Sequence, residues 1–183
     1  MIFCDIIGPT SLWRQLCNFR SSKFEEDRMY KTILVPLDGS ELAECVLPHV
    51  DTVAQGCRVS KVVFIRVLEP FDAPGAAEFS FAPEDIAEKN LAIRRADAEN
   101  YFKTVREKIR LPGIDAEWKI ETGRVPETIA EFSLKHEIDL IIISTHGRSG
   151  VSRWVWGSVA ERVLRSSCAP VLMVRAPGCC TGL

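Results

Sequence analysis

The sequence has no C-x-x-C pair, no G-x-x-x-x-G-K-[ST] loop and no long apolar run, and each absence removes a class of protein. Without paired cysteines at ligand spacing there is no zinc finger or ribbon to read. Without the Walker-type loop there is no P-loop phosphate cradle. No stretch approaches the roughly 20 apolar residues of a membrane-spanning helix, so no membrane span is expected. Charge of a single sign is missing as well. The 23 basic and 25 acidic side chains nearly cancel to a net −2, which gives no broad positive field for a nucleic-acid backbone. Histidine is scarce, with three in the chain. His49 and His136 fall in expected helices, and His146 has no evident orienting carboxylate or nucleophile, a poor basis for catalysis. No acidic cluster suggests a two-metal site.

Seven cysteines are present: Cys4, Cys17, Cys45, Cys57, Cys168, Cys179 and Cys180. An odd count with no secretory leader reads as reduced thiols in a cytoplasmic protein rather than as a disulfide framework. The neighbours Cys179 and Cys180 lie in a tail, 176–183, and carry no redox reading from adjacency alone.

With 183 residues, 46% of them hydrophobic, the chain can bury one good core. Residues 1–28 show neither alternation nor helical period and end in the charged run Lys23 to Arg28. They read as a disordered extension or the product of an upstream start, with Met29 opening the domain. N-terminal mass analysis of the native protein tests this, and an intact Met1 terminus counts against it.

From Lys31 onward, short apolar runs alternate with longer helical stretches, the pattern of βαβ units and a parallel sheet. Five strands are expected, at Thr32–Leu37, Val59–Val67, Ala116–Ile120, Leu140–Ser144 and Val171–Val174. Their Val and Ile content suits strands buried on both faces. About four helices should cover the sheet. Leu42, Val46, Val50 and Val53 mark a stripe on a helix from Glu41 to Ala54, kinked at Pro48. The charged, alanine-rich stretch Pro83 to Arg110 reads as a long exposed helix ended by Pro112-Gly113. A third helix starts near Pro126 and turns Ile129 and Phe132 inward. A fourth starts at Ser158, where Ser158 and Glu161 have the spacing of a capping box. The stretch from Glu69 to Glu84 is a long loop, a lid or a contact surface.

The segment Ser144-Thr145-His146-Gly147-Arg148-Ser149-Gly150, continuing to Gly157-Ser158, follows a buried strand and opens a helix. Glycines allow backbone N–H groups close to phosphate oxygens, and a helix N-terminus adds unpaired donors and partial positive charge. Arg148 can add a charge-assisted hydrogen bond. A plain flexible connection is the alternative. Ser158 reads either as an N-cap or as a phosphate contact. Asp38, closing the first strand, reads as a ligand for ribose or adenine, or as an ordinary Asp-Gly-Ser turn. Trp154 and Trp156 read as packing beneath the loop.

Lys31 to Ser40 together with Ser144 to Arg175 resembles the universal stress protein family, in which an Asp closes the first strand and G-x-x-G-x9-G-[ST] forms the ATP loop. Gly147, nine intervening residues and Gly157-Ser158 match the second half of that motif, and Ser144 stands in place of its first glycine. The resemblance covers Tyr30 to Arg175 and implies one Rossmann-like domain, 29–175, of the adenine-nucleotide alpha-hydrolase type. It further implies that Pro36, Leu37, Asp38 and Val67 line the adenine and ribose site. Ser144, Gly147, Arg148, Gly157, Ser158 and Val159 would then hold ribose and phosphates. ATP, with Mg²⁺ on its phosphates, is the implied ligand, with hydrolysis slow at most. A homodimer through Pro170 to Arg175 and an unidentified protein partner are implied with it. A nucleotide-free scaffold of the same fold is the alternative, on account of Ser144.

Overall fold

A computed structural model describes residues 29–69, 84–145 and 157–175. Five parallel strands form one sheet in the order β3-β2-β1-β4-β5. They are β1 (Thr32–Pro36), β2 (Lys61–Leu68), β3 (Asp115–Thr122), β4 (Leu140–Ser144) and β5 (Val171–Val174). A short 3-10 helix (Ala43–Val46) and the helices α1 (Leu47–Gly56), α2 (Glu84–Lys108), α3 (Val125–Lys135) and α4 (Ser158–Ser166) connect them.

Strand alternation divides the core. Ile33, Val35, Val62, Phe64, Leu140 and Ile142 pack with Val50 of α1 and Phe102 and Val105 of α2 on one face. Leu34, Val63, Ile65, Ile141 and Ile143 pack with Ile129 and Phe132 of α3 and Val163 of α4 on the other. Helices thus cover both faces, and the central strands β1, β2 and β4 are buried at nearly every position, as the apolar runs require.

Several expected boundaries shift for local reasons. The first helix is two pieces. Pro48 falls in the first turn of α1 instead of its middle, where its missing N–H is no loss. The preceding 3-10 helix ends with Leu47 N–H donating to the Glu44 carbonyl. β2 starts two residues later than Val59, because Val59 N–H closes α1 on the Ala54 carbonyl at 2.9 Å. β3 is longer than Ala116–Ile120 because it pairs with β2 along its whole length. As an edge strand it alternates Ala116, Trp118 and Ile120, which pack on the core, with Glu117, Lys119 and Glu121. A hydrogen bond from Lys61 holds the Glu117 carboxyl below the usual carboxylate range. α2 is not simply an exposed helix, since Ala98, Phe102 and Val105 form a buried stripe along it.

The capping box at α4 does not form. The N-cap is Gly157, Ser158 is the first helical residue, among the described residues no side chain caps the helix, and Glu161 pairs with Arg165 at 2.8 Å. The segment 1–28, the loop from Phe71 to Phe81 and the tail with Cys179 and Cys180 lie outside the described residues.

Candidate functional site

The strand order reverses between β1 and β4: from β1 the chain proceeds outward through β2 to β3, then returns to the other side of β1 for β4 and β5. At such a reversal the connections leave in opposite directions and open a crevice beyond the C-terminal strand ends. A cavity of about 440 Å³ lies there, within the range of small-molecule sites.

β1 delivers Pro36, Leu37 and Asp38 to this cavity. Leu37 is fixed by its N–H on the Ile65 carbonyl at 2.9 Å. Asp38 Oδ1 accepts from the Ser40 N–H at 2.9 Å and the Ser40 hydroxyl at 2.6 Å. The turn reading of Asp38 therefore holds alongside its position in the cleft. β2 contributes Val67, and β4 contributes Ser144 at its last residue. Ser144 is 7% exposed. Its hydroxyl donates to the Leu42 carbonyl at 3.2 Å and lies 3.6 Å from the Cys45 thiol, so it ties β4 to the 3-10 helix.

The start of α4 reaches the same cavity with Gly157, Ser158 and Val159. Gly157 N–H donates to the Thr145 carbonyl at 2.8 Å, and Thr145 N–H donates to Val174 at 2.8 Å. Gly157 thus sits directly beside Thr145. The first helical bond of α4 runs from Glu161 N–H to the Gly157 carbonyl. The Ser158, Val159 and Ala160 N–H groups precede it, and among the described residues no side-chain cap serves them, which gives a donor-rich, partially positive helix end at the cleft.

Eight of the ten residues singled out from the sequence therefore surround one cavity, while Gly147 and Arg148, with His146, Trp154 and Trp156, lie outside the described residues. The structure adds residues that sequence reasoning missed. Arg66 of β2 lines the cavity and is 8% exposed. A lone cation inside the run Val62 to Leu68 was its visible signal. Arg94 and Asp97 reach in from α2, and Arg94 donates to the Glu69 carbonyl at 2.6 Å. Nothing in the charge pattern of α2 sets these two apart from its other ionic residues. Ile65, Ile129 and Ile143 supply apolar wall. The arrangement suits a flat apolar group near Val67 and an anion at the α4 terminus, with Asp38 accepting hydrogen bonds between them. Among the described residues, no group of three His, Cys, Asp or Glu side chains is placed to hold a metal ion.

A family model described as the universal stress protein family matches residues 29–175. A universal stress protein of Methanocaldococcus jannaschii is 27% identical over 153 residues, 82% of this chain and 85% of the relative. The solved structure of another protein of that organism, also named a universal stress protein, superposes with a TM-score of 0.70 at 27% identity, covering 82% of this chain and 99% of the other. A universal stress protein family member from Arabidopsis thaliana, solved with AMP bound, shares the fold with a TM-score of 0.55 at 15% identity, over 81% and 93% of the two chains.

Proposed function

The chain belongs to the universal stress protein family, and from that premise we propose that it binds an adenine nucleotide, ATP with Mg²⁺ on the phosphates, in the cleft between β1 and β4. One observation carries the reading: residues far apart in sequence converge on a single cavity that takes in the N-terminus of α4, Asp38 and the apolar Val67. The AMP in the Arabidopsis relative supports the choice of ligand. Adenine would lie on Val67 and Leu37, ribose hydroxyls would donate to Asp38, and phosphates would accept from the α4 N–H groups, with Gly147 and Arg148 completing the cradle. The Ser144 hydroxyl, engaged on the Leu42 carbonyl, is compatible with this placement.

The function is nucleotide-responsive regulation in the cytoplasmic stress response, by binding rather than turnover. Bound nucleotide alters the surface offered to a protein partner and to a second copy. The second copy meets the first through β5 and its flanks, Pro170 to Arg175. β5 is the last strand of the sheet and carries Leu172, 37% exposed. Among the described residues, no helix is long and apolar enough to cross a membrane.

Calorimetric titration of nucleotide-stripped protein with ATP and Mg²⁺ tests the reading. Saturable binding at one site per chain is expected, weakened roughly tenfold in Asp38→Asn, which keeps an acceptor for the Ser40 turn but loses the charge. A folded, stripped sample that takes up no ATP overturns it.

A further inference from the structure

Arg66 is the only charged residue of the run Val62 to Leu68, and it lies in the C-terminal half of β2 beside the core residues Phe64, Ile65 and Leu68. Its guanidinium carbon stands 5.2 Å from the centre of the Tyr101 ring on α2. It also meets the backbone of the first strand's exit turn. A Cβ placed on Gly39 would lie 2.9 Å from the guanidinium carbon, 2.9 Å from one terminal nitrogen and 3.0 Å from the other. Nearly equal distances to three atoms of a planar group put Gly39 over its flat face. Gly39 itself has φ +90°, in the region that glycine adopts without strain.

Gly39 is the middle residue of the turn in which Asp38 accepts from Ser40. Whatever fixes Gly39 also fixes the direction of the Asp38 carboxylate. We propose that Arg66 is a positioning residue of the nucleotide site, whose guanidinium face supports the Asp38-Gly39-Ser40 turn and aims Asp38 at the nucleoside. This rests on the adenine-nucleotide reading of the cleft. The support needs a flat, delocalised cation that can lie against both a peptide and an aromatic ring. Lysine offers a compact charge with no face and cannot replace it. Glycine at position 39 is then required twice, for its backbone angle and for the space the guanidinium occupies.

The experiment measures binding of AMP, adenosine and inorganic tripolyphosphate to the full chain by calorimetry, with thermal unfolding recorded on each sample. The variants are Arg66→Lys, Arg66→Met, Gly39→Ala and the double variant Gly39→Ala/Arg66→Met. Both Arg66 variants should weaken AMP and adenosine roughly tenfold, the scale of one lost hydrogen bond to a charged group, and leave tripolyphosphate affinity unchanged. Gly39→Ala should weaken AMP more in the wild-type background than in Arg66→Met, where the guanidinium it collides with is gone. Unchanged AMP affinity in Arg66→Met overturns the assignment while the nucleotide reading stands. Parallel loss of adenosine and tripolyphosphate with a lowered unfolding temperature also overturns it, since that marks a role in stability alone. Failure of the wild type to bind AMP overturns the nucleotide reading, and the role of Arg66 with it.

Discussion

Tyr101 holds its hydroxyl in a buried position, near enough to the Glu44 carboxylate to feel it as an acceptor but, among the described residues, with no partner in good hydrogen-bond geometry. Glu44, whose charge acts on the phenol, spends Oε2 on Lys108 at 2.5 Å. Burial first, then the carboxylates of Glu44 and Asp38, push the Tyr101 phenol well above its ordinary value of 10.0, with Arg66 opposing. A raised folded value means that the folded state keeps its proton while the unfolded chain loses it. The contribution to stability is therefore fully present below the unfolded value near 10.0 and is lost as pH climbs from there toward the folded value. Tyr101→Phe should remove the unpaired hydroxyl and raise stability at neutral pH by about 1 kcal/mol, the lower end of the cost of an unsatisfied buried polar group. It should also flatten the alkaline loss. Urea denaturation at pH ~7 and at pH ~10.5 checks both parts, and a destabilised Phe variant at neutral pH would show that the hydroxyl has a partner after all.

At the scale of elements, α1 and α3 end alike. Arg58 and Glu137 take positive φ of 52° and 50°. In each case the next N–H reaches back to close the helix, Val59 to the Ala54 carbonyl and Ile138 to the Ser133 carbonyl, both at 2.9 Å. Val59 and Ile138 are buried at 3% and 0% exposure, so the cap turns an apolar residue inward just before the following strand. Neither cap is visible in the sequence, because the residue in the left-handed position is not glycine. Glu137→Gly should stabilise by about 0.5 kcal/mol, the relief of left-handed strain outweighing the added freedom of the unfolded chain. Chemical denaturation with an unchanged slope would confirm it. α2 provides the contrast between stripe and surface. Phe102, 3% exposed and edge-on to Trp118 at 5.1 Å, should cost about 3–5 kcal/mol as Phe102→Ala. Ile93, 60% exposed on the same helix, should cost less than about 0.5 kcal/mol as Ile93→Ala. Equal costs would mean that the stripe has been assigned to the wrong side of α2.

For the whole molecule, the two sheet edges differ. β3 ends the sheet with Glu117, Lys119 and Glu121 in alternation, Glu117 pairing with Lys61 of β2 at 2.5 Å, a composition that discourages further strand pairing. β5 ends it with Val171, Leu172, Met173 and Val174, and Leu172 is partly exposed. If copies meet there, Leu172→Glu should convert a dimer to a monomer in sedimentation analysis while the proposed nucleotide site, on other elements, keeps its affinity. A wild-type chain that sediments as a monomer rules out the β5 contact.

The alternation of apolar runs with helical stretches was enough to call a parallel α/β sheet, and β4 and β5 fall where the apolar residues begin and end. For β4, buried along its whole length, the reason is that a strand covered on both faces is apolar at nearly every position, whatever surrounds it. Asp38 and the Gly157-Ser158 pair were legible for a similar local cause, since turn and helix-start chemistry is written in adjacent residues. Tertiary structure alone decided the rest. It placed Pro48 at a helix start, because the chain changes helix type one residue before. It replaced the expected Ser158 cap with Gly157, because that N–H is taken by Thr145. It set Arg66 under Gly39 and brought Arg94 and Asp97 over the cleft. These contacts join residues from separate elements, and their spacing along the chain carries no trace of a meeting that only the strand order creates.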